Sequence, residues 1–135
     1  MSSSPISRRL AFALVLAPVA AFTAWMELGP RAYWFKHFGP GSVIAGSAPN
    51  AVAVVLLASI FAVAKGRARD ATPFRLAVIS TLSMVAYEIA QIWMPGRTFD
   101  PFDLIASLIG GVIAFLLLVI PYRLTALPGG EAAHR

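Results

Sequence analysis

Several polar side chains that could perform acid–base chemistry or bind an anion lie close together in an otherwise apolar stretch of the sequence. Glu88 and Gln91 precede a Pro-Gly pair, and Arg97 follows it. Asp103 comes shortly afterwards. A carboxylic acid shielded from water can act as a general acid or base, and a guanidinium can hold a phosphate or bridge two carboxylates. The pattern therefore indicates either a site for a phosphate-bearing anion or a buried ion-pair network that fixes the packing of helices.

The composition of the chain is typical of a membrane protein. Of its 135 residues, 59% are hydrophobic and 13% are charged, and the mean hydropathy is +0.77. Soluble domains carry about 25% charged residues. A bilayer core about 30 Å thick requires roughly 20 apolar residues per helix, so the length suffices for about four spans in a single domain.

The residue inventory also limits the chemistry of the protein. The chain has no cysteine and only two histidines, so we expect neither a metal site nor a cofactor. Its net charge is +5, but the charges lie between apolar runs and do not form a basic domain, so we expect no nucleic-acid partner.

Four apolar runs are long enough to cross a bilayer as helices. They cover about residues 10–28, 48–64, 73–94 and 101–122, which predicts an all-α bundle of four transmembrane helices. The last three begin with a cap residue and a proline: Ser47 with Pro49, Thr72 with Pro73, and Asp100 with Pro101. Two arginines precede the first run, so a cleaved signal peptide is the alternative for that run.

The basic residues predict the orientation of the bundle. Eight of the eleven lie at the two ends of the chain and around the middle loop, and three lie on the opposite side. Because positive charge accumulates in short cytoplasmic loops, we expect both termini in the cytoplasm. The outward-facing loop, residues 29–42, mixes aromatic and basic residues and is predicted to lie in the membrane interface.

Polar residues within the third and fourth runs are predicted to share helix faces. At 100° per residue, one arc of about 140° on the third run contains Ser83, Tyr87, Glu88 and Gln91. A strip of small or polar residues on the fourth run contains Asp103, Ser107, Gly110, Gly111 and Ala114. A short turn joins the two runs, so they should form an antiparallel hairpin with these faces together. Asn50 and Glu27 are predicted to reach the same end of the bundle.

The spacing of these residues resembles a motif of the VanZ-like family, small four-span bacterial membrane proteins named for a glycopeptide-resistance accessory protein. The motif lies within residues 87–115 and reads E-x-x-Q, an arginine after Pro-Gly, and D-x-x-x-S-x-x-G. The matching residues are Glu88, Gln91, Arg97, Asp103 and Gly110, with a weaker match at Asn50. Two positions depart from the family: Ser107 replaces the usual asparagine, and Ala114 replaces a second glycine.

The resemblance implies a multi-pass protein of the bacterial cytoplasmic (inner) membrane with a role at the cell envelope. It also implies a link to teicoplanin-type resistance and a kinship with enzymes that modify lipid headgroups. We therefore expect an outer-leaflet cleft that binds, and in one version modifies, an anionic membrane lipid or a lipid-linked cell-wall precursor. The candidate acid and base are Glu88 and Asp103. The candidate ligand-binding residues are Gln91, Arg97, Ser107 and Asn50.

Two other interpretations remain open at this stage. The protein could be a small accessory subunit that packs against a larger membrane complex, with a purely structural polar cluster. A transporter is less favoured because the sequence shows no repeat or paired broken helices. No reaction is established for the family, so the sequence leaves open whether the protein is an enzyme.

Overall fold

The computed structural model describes residues 5–39, 41–66 and 68–126, which form a bundle of helices. The helices are α1 (Pro5–Leu28), α2 (Pro30–Phe38), α3 (Val43–Lys65), α4 (Pro73–Ala90) and α5 (Pro101–Leu124), and a 3₁₀ turn, Gln91–Trp93, extends α4. No strand occurs in the described ranges. Within these described residues, four helical segments are long and apolar enough to cross a membrane. The first of the four runs from Arg8 to Phe38 and combines α1 with α2. The predicted all-α bundle of four spans is confirmed.

The caps predicted for the last two spans are present. The Thr72 hydroxyl accepts a hydrogen bond from the backbone N–H of Arg75 at 3.4 Å. Oδ1 of Asp100 accepts one from the N–H of Phe102 at 2.9 Å. In both helices a proline occupies the first turn, where its missing N–H has no intrahelical partner to lose.

The start of α3 differs from the prediction. The helix begins at Val43, and its cap is Ser42, whose hydroxyl accepts a hydrogen bond from the N–H of Ala45 at 3.3 Å. The prediction that Ser47 caps this span was wrong, because Ser47 lies inside the helix and is buried. Two serines compete for the role of cap in this stretch, and the sequence pattern favoured the one closer to the proline.

Pro49 lies inside α3, and the carbonyl group that it leaves without a donor accepts a hydrogen bond from another helix. Proline has no N–H, so the carbonyl of Ala45, one turn earlier, loses its intrahelical donor. Nε of Arg31 in α2 donates to this carbonyl at 3.3 Å. The same guanidinium pairs with Glu27 of α1 at 2.8 Å, so one arginine fixes the corner between α1, α2 and α3. Most of the outward-facing loop, residues 29–42, is thus the helix α2. The location of this loop in the membrane interface stays a prediction.

The other boundaries shift by smaller amounts. The first helix begins at Pro5 and the last ends at Leu124, so both are longer than the apolar runs. The third span ends as an α-helix at Ala90 and continues as a 3₁₀ turn to Trp93, just before the Pro-Gly turn.

Helices α3 and α5 form the centre of the bundle, because each packs against the other and against both α1 and α4. The predicted small strip on α5 is buried at Ser107, Gly110, Gly111 and Ala114, and half-buried at Asp103. A methyl group on Gly110 would overlap the backbone of Ala51 in α3, whose Cα would lie 2.8 Å away. A methyl group on Gly111 would overlap the side chain of Thr81 in α4. The two glycines therefore allow α5 to approach both neighbours closely.

The opposite end of the bundle is held by charged side chains. Arg8 of α1 donates to the hydroxyl and the carbonyl of Thr125, just after α5, at 3.0 and 3.1 Å. Its guanidinium also lies 4.8 Å from the ring centre of Tyr122. The ammonium of Lys65, the last residue of α3, donates to Asp70 in the α3–α4 loop, and this hydrogen bond lowers the pKa of the Asp70 carboxyl below its ordinary value.

Candidate functional site

Glu88 is the best-defined member of the predicted site. It lies in the last turn of α4 and is 1% exposed. Its Oε1 accepts a hydrogen bond from the amide of Asn50 at 3.1 Å, and its Oε2 accepts one from the amide of Gln91 at 2.8 Å. A buried carboxylate is tolerated only when its oxygens are hydrogen-bonded or paired, and the two amides meet this requirement. The structure thus brings together three of the residues that the motif singled out.

Two local features position these amides. Gln91 follows Glu88 by three residues, so the two side chains lie on the same side of the helix and its 3₁₀ extension. Asn50 belongs to α3, so its bond to Glu88 crosses between helices and couples the packing of α3 to the end of α4. Gln91 is 7% exposed, so this pair is shielded from the surroundings.

Asp103 lies in the first turn of α5, and one of its carboxylate oxygens has no hydrogen-bond donor among the described residues. Its Oδ1 is buried, and no donor reaches it in the part of the chain that the structure describes. The Ser107 hydroxyl, one turn later, donates to the backbone carbonyl of Asp103 at 2.9 Å. Ser107 is fully buried and uses its proton within the helix, so Asp103 presents a carboxylate oxygen without a partner.

The glycine contacts place the two carboxylates at the same depth. Thr81 lies against Gly111, and Ala51 lies against Gly110, so α3, α4 and α5 share a common level there. Glu88 is two turns beyond Thr81, and Asp103 is two turns before Gly110, about 10 Å along the helix axis in each case. The antiparallel hairpin therefore carries both carboxylates to one end of the bundle.

Arg97 lies in the turn that joins α4 to α5 and is exposed. Gly96 precedes it with φ +76°, a backbone conformation that favours glycine. The ion pairs within the described residues are Glu27 with Arg31 and Lys65 with Asp70, and neither includes Arg97. Arg97 therefore does not bridge the carboxylates here, and two amides hold Glu88 in its place.

The polar face predicted for the third span is narrower than expected. Ser83 and Tyr87 are exposed, and the Ser83 hydroxyl donates to the carbonyl of Ile79 in its own helix at 2.8 Å. Glu88 lies at one edge of the predicted arc of about 140° and is buried, whereas Ser83 at the other edge and Tyr87 next to it are exposed, so the side that faces the bundle is displaced toward Glu88. Glu27 is also outside the cluster, because it pairs with Arg31.

Ser47 is a polar residue at this end of the bundle that the sequence reading misassigned. It is 5% exposed and lies one turn before Asn50 on the same side of α3. The signal that could have identified it is this spacing of three residues. It was hidden because Ser47 was interpreted as the helix cap.

The described residues include four helical segments of membrane-spanning length and a buried carboxylate, Glu88, held by two amides. They define a multi-pass helical membrane protein. The family model described as VanZ/LLP1 matches residues 2–122, and the chain belongs to this family. The resemblance read from the polar motif is confirmed. No curated protein and no solved structure gives a significant match.

Proposed function

We propose that the carboxylate end of the bundle binds the phosphate-bearing headgroup of a membrane lipid or a lipid-linked cell-wall precursor. The observation that carries this proposal is that the buried carboxylate is hydrogen-bonded to amides and the arginine beside it is left unpaired among the described residues. Glu88 is satisfied by two amides, and the exposed Arg97 has no ion-pair partner among the described residues. A guanidinium in this state can form a bidentate pair with phosphate oxygens.

The surroundings of the cluster favour a lipid over a water-soluble phosphate. An apolar groove of about 440 Å³ lies between α1, α3 and α5. Ala51, which follows Asn50 directly in α3, forms part of its wall, so the groove reaches the depth of Asn50. A ligand with a phosphate at the cluster could lay an acyl chain along this groove, as binding pockets combine apolar walls with a few polar groups.

For a reaction on the headgroup, the geometry favours Asp103 as the group that contacts the ligand. Both oxygens of Glu88 already accept hydrogen bonds, whereas Oδ1 of Asp103 accepts none within the described residues. Glu88 would then position the amides of Asn50 and Gln91, and Asp103 would act as the acid or base.

The binding proposal is tested with Arg97→Ala and a matched control, Arg69→Ala, which removes an exposed arginine from the opposite end. Purified protein in mild detergent is titrated with a fluorescent phosphatidylglycerol, with a lipid-linked phosphate, and with diacylglycerol, which lacks phosphate. A charge-assisted hydrogen bond contributes about 1.5–3 kcal/mol, so Arg97→Ala should weaken phosphate-lipid binding by roughly tenfold or more. Arg69→Ala and the diacylglycerol titration should show little change.

Equal binding by Arg97→Ala and the parent protein would contradict the proposal. A stable stoichiometric partner in detergent, together with unchanged function of Asp103→Asn, would instead favour the accessory-subunit interpretation.

We further propose that this end of the bundle faces the outer leaflet of the bacterial cytoplasmic membrane. The proposal depends on the excess of basic residues at the other end. The chain has no cysteine, so the labelling of a single introduced cysteine reports the position of that residue alone. Gly41→Cys, beside the α3 cap, should react with a membrane-impermeant thiol reagent on intact cells, and Ala68→Cys should react only after lysis. The reverse labelling would place the site in the inner leaflet.

A further inference from the structure

We infer that Ser47 is a ligand-binding residue and that, together with Asp103, it selects a headgroup with an ammonium N–H beside the phosphate. The inference rests on the proposed function, because it names the chemistry of the group that lies next to the phosphate. Its evidence is separate, however. It depends on two buried polar atoms that the fold leaves without partners.

The Ser47 hydroxyl differs from most hydroxyls in these helices. In the described part of the chain, six serine and threonine side chains donate to a carbonyl one turn earlier. Five lie within helices and the sixth, Thr125, directly follows α5: Thr23, Ser59, Thr81, Ser83, Ser107 and Thr125. This bond is the usual solution for a hydroxyl within a helix. Ser47 is 5% exposed, yet its Oγ has no partner in the described part of the chain. A buried hydroxyl in this state is available to a ligand.

The register of the helices places Ser47 at the depth of the polar cluster. Ala51 marks the level at which α3 touches Gly110. Ser47 lies one turn above this level, about 6 Å along the axis, and Asp103 lies about 10 Å above it. Ser47 thus lies between the depth of Asn50 and that of Asp103. Oδ1 of Asp103 is likewise buried and without a donor among the described residues.

The balance of donors and acceptors indicates what the ligand must supply. An ionised carboxylate only accepts hydrogen bonds, and a serine hydroxyl accepts as readily as it donates. The amides of Asn50 and Gln91 are already used by Glu88. A ligand that satisfies Asp103 and Ser47 must therefore bring N–H or O–H groups, and an ammonium brings three together with a positive charge.

A metal ion fits this cluster less well than an ammonium. Divalent cations with oxygen ligands take six or more of them, and the described residues contain no group of three or more acidic or histidine side chains suited to a metal. An ammonium beside a phosphate pairs with Asp103 while Arg97 holds the phosphate. This arrangement matches an aminophospholipid such as phosphatidylethanolamine.

The test compares three phospholipids with identical acyl chains in detergent solution. Phosphatidylethanolamine has an ammonium, phosphatidylcholine has a quaternary nitrogen without N–H, and phosphatidylglycerol has hydroxyls. The parent protein should bind the ethanolamine lipid roughly tenfold more tightly than the choline lipid, as expected for a charge-assisted hydrogen bond. Ser47→Ala and Asp103→Asn should each reduce this preference to about twofold or less, and Ser47→Thr, which keeps the hydroxyl, should retain it.

Ser80→Ala is the matched control. Ser80 is also fully buried with an unpartnered hydroxyl in the described part of the chain, but it lies about 12 Å deeper than Glu88 along α4. The headgroup preference should be unchanged in this variant. If Asp103→Asn does not fold, as judged by its helix content, the headgroup preferences of Ser47→Ala and Ser47→Thr are sufficient to test the inference.

The inference and the proposed function fail in different ways. If Ser47→Ala retains the ethanolamine preference, or if the parent protein prefers phosphatidylglycerol, the ammonium inference is overturned. Weaker binding of all three lipids by Arg97→Ala would still support the phosphate site. If Arg97→Ala binds all three lipids like the parent protein, the proposed function fails, whatever the behaviour of Ser47.

Discussion

The close approach of α5 to the backbone of α3 at Gly110 gives a sharp prediction about stability. Gly110→Ala places a methyl group against the backbone of Ala51, with the Ala51 Cα at 2.8 Å and its carbonyl carbon at 3.0 Å. Ordinary van der Waals contact begins at 3.4 Å, and the Ala51 carbonyl oxygen would lie closer to the methyl group than either carbon, so the backbones must separate by more than about 0.6 Å. Backbone atoms cannot rotate away as a side chain can, so α5 must shift relative to α3.

The magnitude follows from a comparison with a glycine that has space around it. Gly46→Ala also replaces a helical glycine, but its new methyl group meets no atom within 4 Å. Both substitutions gain the same helix propensity, about 1 kcal/mol, so that contribution cancels between them. Overpacking costs about 1–3 kcal/mol, so Gly110→Ala should be less stable than Gly46→Ala by this amount.

The assay is reversible unfolding of both variants in mixed micelles, followed by circular dichroism as the fraction of denaturing detergent rises. Lipid binding provides a second readout, because Ala51 is adjacent to Asn50 and a shift of α3 would lengthen the bond from Asn50 to Glu88. Equal stability of Gly110→Ala and Gly46→Ala would refute the close approach of α3 and α5. It would also contradict the helix register that places Ser47 and Asp103 at the same end of the bundle.

Three further predictions concern single contacts. Asn50→Ala leaves one oxygen of buried Glu88 without a donor and should lower the unfolding free energy by about 1–3 kcal/mol, with partial recovery by Glu88→Gln in the same chain, measured by the same unfolding assay. Arg8→Ala removes two hydrogen bonds to Thr125 and should destabilise the bundle by about 1 kcal/mol, whereas unchanged stability would show that this contact is not formed in micelles. The lowered pKa of Asp70 means that its ion pair stabilises the fold above the ordinary carboxyl pKa and loses this effect as the pH falls through the lower folded value. The parent should therefore lose more stability than Asp70→Asn below pH 3.8, and parallel pH profiles would contradict this.

Local sequence signals predicted much of the fold because they act within a few residues. Thr72 and Asp100 were identified as caps from their place before a proline, and the structure confirms both. The small strip on α5 followed from helical periodicity alone, and Gly110 and Gly111 are buried as expected. Where two local signals competed, at Ser42 and Ser47, the prediction failed.

The partners within the candidate site depend on tertiary packing, which the sequence does not encode locally. The sequence placed Asn50 and Glu88 at the same end of the bundle, but their hydrogen bond depends on how α3 rotates against α4. The sequence likewise offered Arg97 as a bridge between carboxylates. An amide that is already close loses less side-chain freedom than a long arginine reaching from an exposed turn, so Gln91 occupies that position.

The departure from the family pattern at residue 107 bears on what the site presents to a ligand. Residues one turn apart on a helix are neighbours, so an asparagine amide at 107 could donate to the carboxylate of Asp103. Serine at this position donates to the backbone carbonyl of Asp103 instead, at 2.9 Å. The substitution therefore removes a donor from the cluster without adding bulk, which agrees with the unpartnered Oδ1 of Asp103. Members with the asparagine would then satisfy their aspartate internally, whereas under the proposed function this chain would leave that role to a bound headgroup.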